Sequence, residues 1–345
     1  MRKRTFLAVA LLFLCSTGLP SYSQPYVDPS QLDCPWPKHS FYKQPWRAWM
    51  ETVPATKLLD GIGINFNSRF SVPLAARLLG ESGFRHARIE IGWGAITFDE
   101  SGIEKNAAAQ FAEKLQACKA NNIRPLILLN AHHGWPCPSQ SWQASVVEAA
   151  PEGARAIRMN VGATHPSVLP RYTSIFRLGA KDPSHHAEDV FLTEFDAATG
   201  ACRLSRPLPV ALAAGQKVWM RRLKYQPLNE PGTPEFAETA GGFVKYARIV
   251  CEFVKAQGVD FDVELWNELT FGSNFITIDR YYDPPIAPKG KDFLKPGGRC
   301  WEMSRRTIEM IKKDFPGVRC IWGFSNTTFF HTKVTDLPPG TDGQS

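Results

Sequence analysis

Apolar and polar positions alternate along this chain with two different periods, and the switches between them mark its elements. Residues 61–66 read as a short strand. Ser71 can cap a helix with Pro73 in its first turn, and that helix ends near Gly83. Residues 85–93 read as a second strand. Residues 103–122 form an amphipathic helix with Ile103, Ala107, Phe111, Leu115 and Cys118 on one stripe. Residues 123–130 are a third, almost wholly apolar run, which suits a parallel strand buried on both faces. The rhythm then breaks. Short β-like runs at 156–161, 190–195 and 217–223 are separated by Gly, Pro and Asp. Thr233-Pro234-Glu235 next opens a long helix to about residue 257. A fourth strand (261–267), a helix (300–313) and a fifth strand (318–325) complete the pattern.

Strand–helix alternation points to a parallel α/β sheet. A closed barrel and an open doubly wound sheet both fit it. No G-x-G-x-x-G or G-x-x-x-x-G-K-[ST] string follows a strand, so the pattern gives nucleotide binding no support. The preferred fold is an incomplete (β/α)8 TIM barrel with about five β/α units and a β-rich insertion after strand three. The expected organisation is a signal peptide at 1–23 and a Pro- and aromatic-rich segment at 24–55. A partial barrel at 56–345 comes next, interrupted by the insertion at 140–228. Residues 335–345 read as a loop leading into a sixth strand.

Charge and cysteines narrow the class. Arg2, Lys3 and Arg4 precede an apolar run from Thr5 to Cys15, and Ser21 and Ser23 stand at the small-residue positions of a cleavage site. The expected location is therefore secreted or periplasmic. Bulky Phe13 and Leu14 before Cys15 argue against a lipoprotein signal, and no later apolar run is long enough for a membrane span. The formal charge of +7 includes three from the leader and comes with no dense Lys/Arg block, which disfavours nucleic acid as a partner. Without Cys15, seven of the eight cysteines remain. That number is odd, so disulfide pairing cannot be complete within the chain. No CxxC spacing suggests structural zinc, and no cofactor is expected. His132, His133 and Cys137 lack a supporting acidic cluster for a metal.

The candidate chemistry lies in Val263-Glu264-Leu265-Trp266-Asn267-Glu268, an apolar strand that delivers a carboxyl to its C-terminal tip. Glu268 there suits protonation of a sugar leaving group, and Asn267 suits a hydrogen bond to a neighbouring hydroxyl. The plainer alternative makes Glu268 a loop cap and Asn267 a turn residue. Asn229-Glu230-Pro231 is a similar string, but no apolar strand precedes it, so Glu230 reads as an acid of a loop or helix start. Arg88 and Glu90 could form a structural ion pair. Trp93, Trp135, Trp266, Phe271, Trp322 and Phe329 fall at or past strand ends, where flat rings could stack on pyranose faces.

Trp266-Asn267-Glu268 resembles the acid/base signature at the end of strand four in the large clan of retaining (β/α)8 glycoside hydrolases, which includes cellulase-like and β-xylosidase-like families. Arg88, in Arg88-Ile89-Glu90-Ile91, is similar to that clan's arginine beneath the catalytic carboxylates. His132 is similar to its histidine after strand three, and Asn65 is a looser match at strand one. The resemblance covers about residues 57–135 and 234–330. It implies a secreted hydrolase that cleaves a β-linked oligo- or polysaccharide with retention. Glu268 would be the acid/base. Asn267, His132, Arg88, Trp266, Asn65, Trp93 and Trp322 would contact or frame the substrate. The clan's nucleophile sits at the end of strand seven, which has no counterpart here, so the chain alone is expected to be inactive. Two other classes stay open: a non-catalytic carbohydrate-binding protein, and a secreted interaction protein that uses the insertion as its partner surface.

Overall fold

The computed structural model describes residues 62–67, 71–131, 135–160, 168–176, 189–226, 228–267, 295–323 and 337–344, together with Leu59 and Leu178. Glu268, His132, His133, Phe271, Phe329, Cys34 and the expected signal peptide lie outside the described residues. The chain divides into two compact units, Met1–Ile62 and Gly63–Ser345. The second unit carries the parallel sheet, its helices and the inserted strands.

Six parallel strands form one sheet: β1 (Gly63–Asn65), β2 (His86–Gly92), β3 (Arg124–Asn130), β10 (Asp262–Leu265), β11 (Cys320–Trp322) and β12 (Gly343–Gln344). Their spatial order is their chain order, β1-β2-β3-β10-β11-β12. A doubly wound sheet reverses its order at a switch point; this one does not. Helices α1 (Val72–Glu81), α2 (Lys105–Ala120), α3 (Pro234–Ala256) and α4 (Arg299–Asp314) fall between successive strands.

The pleat explains how sheet and helices fit together. Ala87, Ile89 and Ile91 alternate with Arg88 and Glu90 along β2. The apolar set joins Ile127, Leu129, Val263, Leu265, Cys320 and Trp322 in one core cluster with the inner faces of the four helices. The other face carries Arg88, Glu90 and Glu264, which are in register through Leu126 and Leu128 of β3. One face is therefore an apolar bed for helices, while the other sets charged side chains among Leu126, Leu128 and Ile321. The helix starts follow the sequence signals. Ser71 Oγ accepts from Leu74 N at 3.4 Å, and Thr233 Oγ1 accepts from Phe236 N at 3.2 Å. At the N-terminal end of the sheet, Asp262 binds Arg124 of β3 at 2.7 Å and Arg319, just before β11, at 2.6 Å.

Between β3 and α3 the chain builds a second closed structure. Strands β4 (Ser139–Val146), β5 (Ala156–Asn160), β6 (Thr173–Phe176), β7 (Val190–Phe195), β8 (Ala201–Leu204) and β9 (Lys217–Leu223) close an antiparallel barrel in the order β4-β5-β8-β7-β6-β9. It has its own core, with Trp142, Ile157, Met159, Ile175, Leu192 and Met220 among its residues. Its exit is tied to the sheet. Buried Glu100, in the loop after β2, binds Lys224 at 3.2 Å, Lys245 of α3 at 2.8 Å and the Tyr225 hydroxyl at 2.6 Å.

The structure changes the sequence-based fold in two ways. A sixth parallel strand, β12, exists where a loop was expected; it pairs Gly343 with Ile321 and Gln344 with Trp322, and its two residues carry no apolar signal. The closed barrel among the described residues is the small antiparallel one, and the parallel strands form a six-stranded sheet. The described cysteines, Cys118, Cys137, Cys202, Cys251, Cys300 and Cys320, are all free and buried. Burial pushes the Cys118, Cys137, Cys202 and Cys320 thiols up to about 12.

Candidate active site

Arg88 is the hub of the polar face. It leaves β2 between Ala87 and Ile89 and so points away from the helices. Its Nε donates to Glu264 of β10. Its Nη2 donates to Asn267 Oδ1 at 2.9 Å, and its Nη1 to Asn65 Oδ1 at 3.4 Å. One planar guanidinium, rooted within β2, thus ties together the ends of β1 and β10. Its rigid, planar fork makes this possible by spreading donors over three nitrogens, whereas an ammonium offers its three from a single atom on a flexible stem. The Glu264 side chain is 4% exposed and Arg88 24%, so the carboxylate is buried while the cation still reaches the open face.

Asn267 owes its position to a break in strand alternation. Leu265 faces the helix side, so Trp266 should face the polar side. Instead Trp266 has φ 73, in the left-handed region. Its ring lies 5.0 Å from Phe243 of α3 and is 1% exposed. Two consecutive side chains therefore enter the helix-side core, and Asn267 turns to Arg88. A left-handed tryptophan costs about 1–2 kcal/mol, which burial of the indole offsets. Flanking hydrogen bonds pin the turn: Trp266 N donates to Leu129 O at 2.8 Å, and Gly323 N donates to Leu265 O at 2.9 Å. Gly323 has to be glycine here, since a Cβ would collide with the Trp266 carbonyl oxygen and stand 2.8 Å from its carbon. A non-glycine residue held at positive φ is a recurrent mark of functional sites, and the next residue but one is Glu268.

The neighbouring strand ends are tied in the same way. Asn130 Nδ2 donates to Glu90 Oε1 at 2.9 Å. Asn130 N donates to the Tyr246 hydroxyl at 3.0 Å, and that hydroxyl donates to the Ile91 carbonyl. Burial raises the Tyr246 phenol far above its ordinary range, so it stays a neutral donor.

The structure brings Asn65, Arg88 and Asn267 together. Arg88 pairs with Glu264, while Glu90 accepts from Asn130, so a local Arg88–Glu90 pair is not what orders β2. Trp93, Trp266 and Trp322 are corrected from sugar-stacking positions to core. Trp93 is 0% exposed, stacked 5.3 Å from Tyr225 and 5.9 Å from Tyr246. Trp322 is also 0% exposed and donates its Nε1 to Ser304 Oγ at 3.1 Å. A ring covered on both sides has no face for a pyranose. Glu230 sits before α3, exposed and paired with Arg299 at the start of α4, and follows no strand directly. Sequence reasoning missed Glu264, Asn130 and Tyr246. Glu264 had a visible signal, a charge between Val263 and Leu265 in a buried strand that alternates charged and apolar residues. Among the described residues no three His, Cys, Asp or Glu gather into a metal-holding group, and no helix is long and apolar enough to cross a membrane.

No protein-family profile matches the chain, and no curated protein sequence does. Solved structures with which it aligns include an exo-β-1,4-mannosidase, Op5Man5, from Opitutaceae bacterium strain TAV5, at 14% identity over 80% of this chain and 33% of that one, TM-score 0.39. A family 39 glycoside hydrolase from Bacteroides cellulosilyticus WH2 aligns at 12% identity over 76% of this chain and 30% of that one, TM-score 0.32. An α-galactosidase from Thermus thermophilus aligns at 10% identity over 81% and 40%, TM-score 0.31. The chain spans two fifths or less of the length of these proteins. At TM-scores this low the likeness carries nothing about activity. These neighbours are glycoside hydrolases.

Proposed function

We propose that the protein is an exported glycoside hydrolase whose parallel sheet belongs to a (β/α)8 barrel and whose acid/base is Glu268. The observation that carries this reading is the Arg88 fork. From the body of β2 it gathers Asn65, at the C-terminal end of β1, with Glu264 and Asn267, at the C-terminal end of β10; barrel enzymes build their sites at such strand ends. The left-handed turn at Trp266, which brings Asn267 to Arg88, lies two residues before Glu268 in the chain. Support also comes from the sheet itself: strands in chain order, helices on the apolar face, and charged residues on the other.

In this reading a β-linked glycan lies across the polar face. Glu268 donates its proton to the glycosidic oxygen as the bond breaks. Asn267, oriented by Arg88, holds a hydroxyl of the sugar at the reacting carbon, and His132 contacts the glycan from the β3 end. A carboxylate on the opposite face forms a covalent glycosyl-enzyme, about 5–5.5 Å from the acid as retention requires. Glu264 does not take that role, because it is buried beneath Arg88. Glu268, now ionised, then removes a proton from the water that releases the sugar.

The test is Glu268→Ala in the full-length protein, assayed on a panel of aryl β-glycosides. Loss of a general acid lowers turnover about 10²–10⁴-fold. Undiminished turnover removes Glu268 from the role. Tight glycan binding without turnover in the parent protein favours a carbohydrate-binding protein instead.

A further inference from the structure

The site leaves one aromatic row unused. Trp219, on β9, is 44% exposed, the one aromatic among the exposed large hydrophobic residues described. Its neighbours Val218 and Met220 fill the small barrel, so Trp219 points outward. Across the strands it faces Gln143 of β4 and Phe176 of β6. The Phe176 ring is 6.2 Å from Trp219 and meets Trp135 edge-on at 5.7 Å. Trp135 comes from the segment that follows β3, and its backbone abuts Gly94 after β2, where a Cβ would lie 2.9 Å from the Trp135 carbonyl carbon. The row therefore starts at the sheet's polar tip and crosses the outer wall of the inserted barrel.

A buried cation fixes this row. Arg221, two residues along β9 and 0% exposed, places its guanidinium 3.8 Å from the Trp135 centroid and 4.5 Å from that of Phe176. Asp189 pairs with Arg221, and Ser174 Oγ donates to Asp189 at 3.2 Å. Burying an ion pair is costly, and here it holds two rings in a set orientation beneath a third that stays open to solvent.

We infer that Trp219, with exposed Gln143 and Ser141 beside it on β4, is a binding platform for a glycan strand, extending the substrate path from the β3 tip onto the inserted barrel. The indole offers a flat apolar face to the C–H face of a pyranose. The amide and hydroxyl next to it are neutral groups that donate to and accept from sugar hydroxyls. Trp219, Gln143 and Ser141 are all neutral, so a neutral glycan is the expected ligand; Lys217, the next outward residue of β9, adds one exposed positive charge, which makes an acidic glycan the second arm of the test. The inference rests on the carbohydrate reading of the site but not on its chemistry.

The experiment is affinity electrophoresis of the full-length protein in gels containing mixed-linkage β-glucan, glucomannan, xylan or polygalacturonate, with Trp219→Ala and Trp219→Phe alongside. The parent is retarded by at least one neutral glycan. Trp219→Ala weakens that binding about tenfold or more, Trp219→Phe keeps most of it, and neither changes turnover of a small aryl glycoside. A parent not retarded by any of the four, retarded by polygalacturonate alone, or retarded equally after Trp219→Ala overturns the platform. Lost retardation in a protein that hydrolyses nothing leaves the platform standing and removes the hydrolase reading.

Discussion

Substituting Gly323 by alanine tests how the strand tip is built. The added Cβ would stand 2.8 Å from the Trp266 carbonyl carbon and 3.0 Å from Leu265 O, besides colliding with Trp266 O. Both partners are backbone, so neither can swing aside. Ordinary carbon–carbon contact needs about 3.5–4.0 Å, and β11 must retreat from β10 by roughly 1 Å. The Gly323 N to Leu265 O hydrogen bond, 2.9 Å long, then stretches out of range. Overpacking costs about 1–3 kcal/mol and the lost bond about 1 kcal/mol. Reduced freedom of the unfolded chain returns about 0.4–1 kcal/mol. The net expectation is a loss of about 1–3.6 kcal/mol. Urea unfolding at 25 °C followed by tryptophan fluorescence measures it, with Gly102→Ala, where a Cβ meets nothing within 4 Å, as the control. If Gly323→Ala unfolds at the same urea midpoint as the control, the close approach of β11 to Trp266 is wrong.

Two adjacent glycines of α3 should respond with opposite signs. Gly241→Ala meets open space and is expected to stabilise by about 0.5–1 kcal/mol through helix propensity, while at Gly242 a Cβ lies 2.5–2.6 Å from the ring carbons of Tyr225, so Gly242→Ala destabilises; thermal melts of the two variants give the signs. Burial works to raise the pKa of Asp262, but hydrogen bonds from Arg124 and Arg319 outweigh it and hold the group at about 2, below its ordinary 3.8. Its stabilisation is therefore complete above pH 3.8 and is lost as pH falls through 2; the stability difference between parent and Asp262→Asn, measured by urea titration, should shrink across that window. Arg88→Lys keeps a positive charge beside Glu264 but loses the fork to Asn267 and Asn65, so kcat/KM is expected to fall at least about tenfold with little change in Tm; an unchanged kcat/KM would detach Arg88 from the site.

Much of this was readable in the sequence because pattern and packing agree. The helix starts at Ser71 and Thr233 carry side chains that bond the first turn, and the structure uses both. The polar alternates of β2 marked the face on which Arg88 lies. Trp93 continues the parity of Ile89 and Ile91, and Trp322 that of Cys320, so plain alternation puts both on the helix side; only Trp266 departs from it, because its left-handed turn sends the ring into the helix-side core. Glu264 was passed over because its partner lies 176 residues away on β2, a separation no local pattern encodes. β12 went unseen because a two-residue strand, Gly343–Gln344, is too short to show any apolar alternation.

The central claim is that Glu268 donates the proton, and leaving-group dependence tests it most directly. With Glu268→Gln in the full-length protein, kcat/KM is compared for a dinitrophenyl glycoside, whose leaving group departs unprotonated, and for an oligosaccharide of the same sugar. Near-parental kcat/KM is expected on the first and a loss of about 10²–10⁴-fold on the second. Equal losses on both substrates, or none on either, would contradict it.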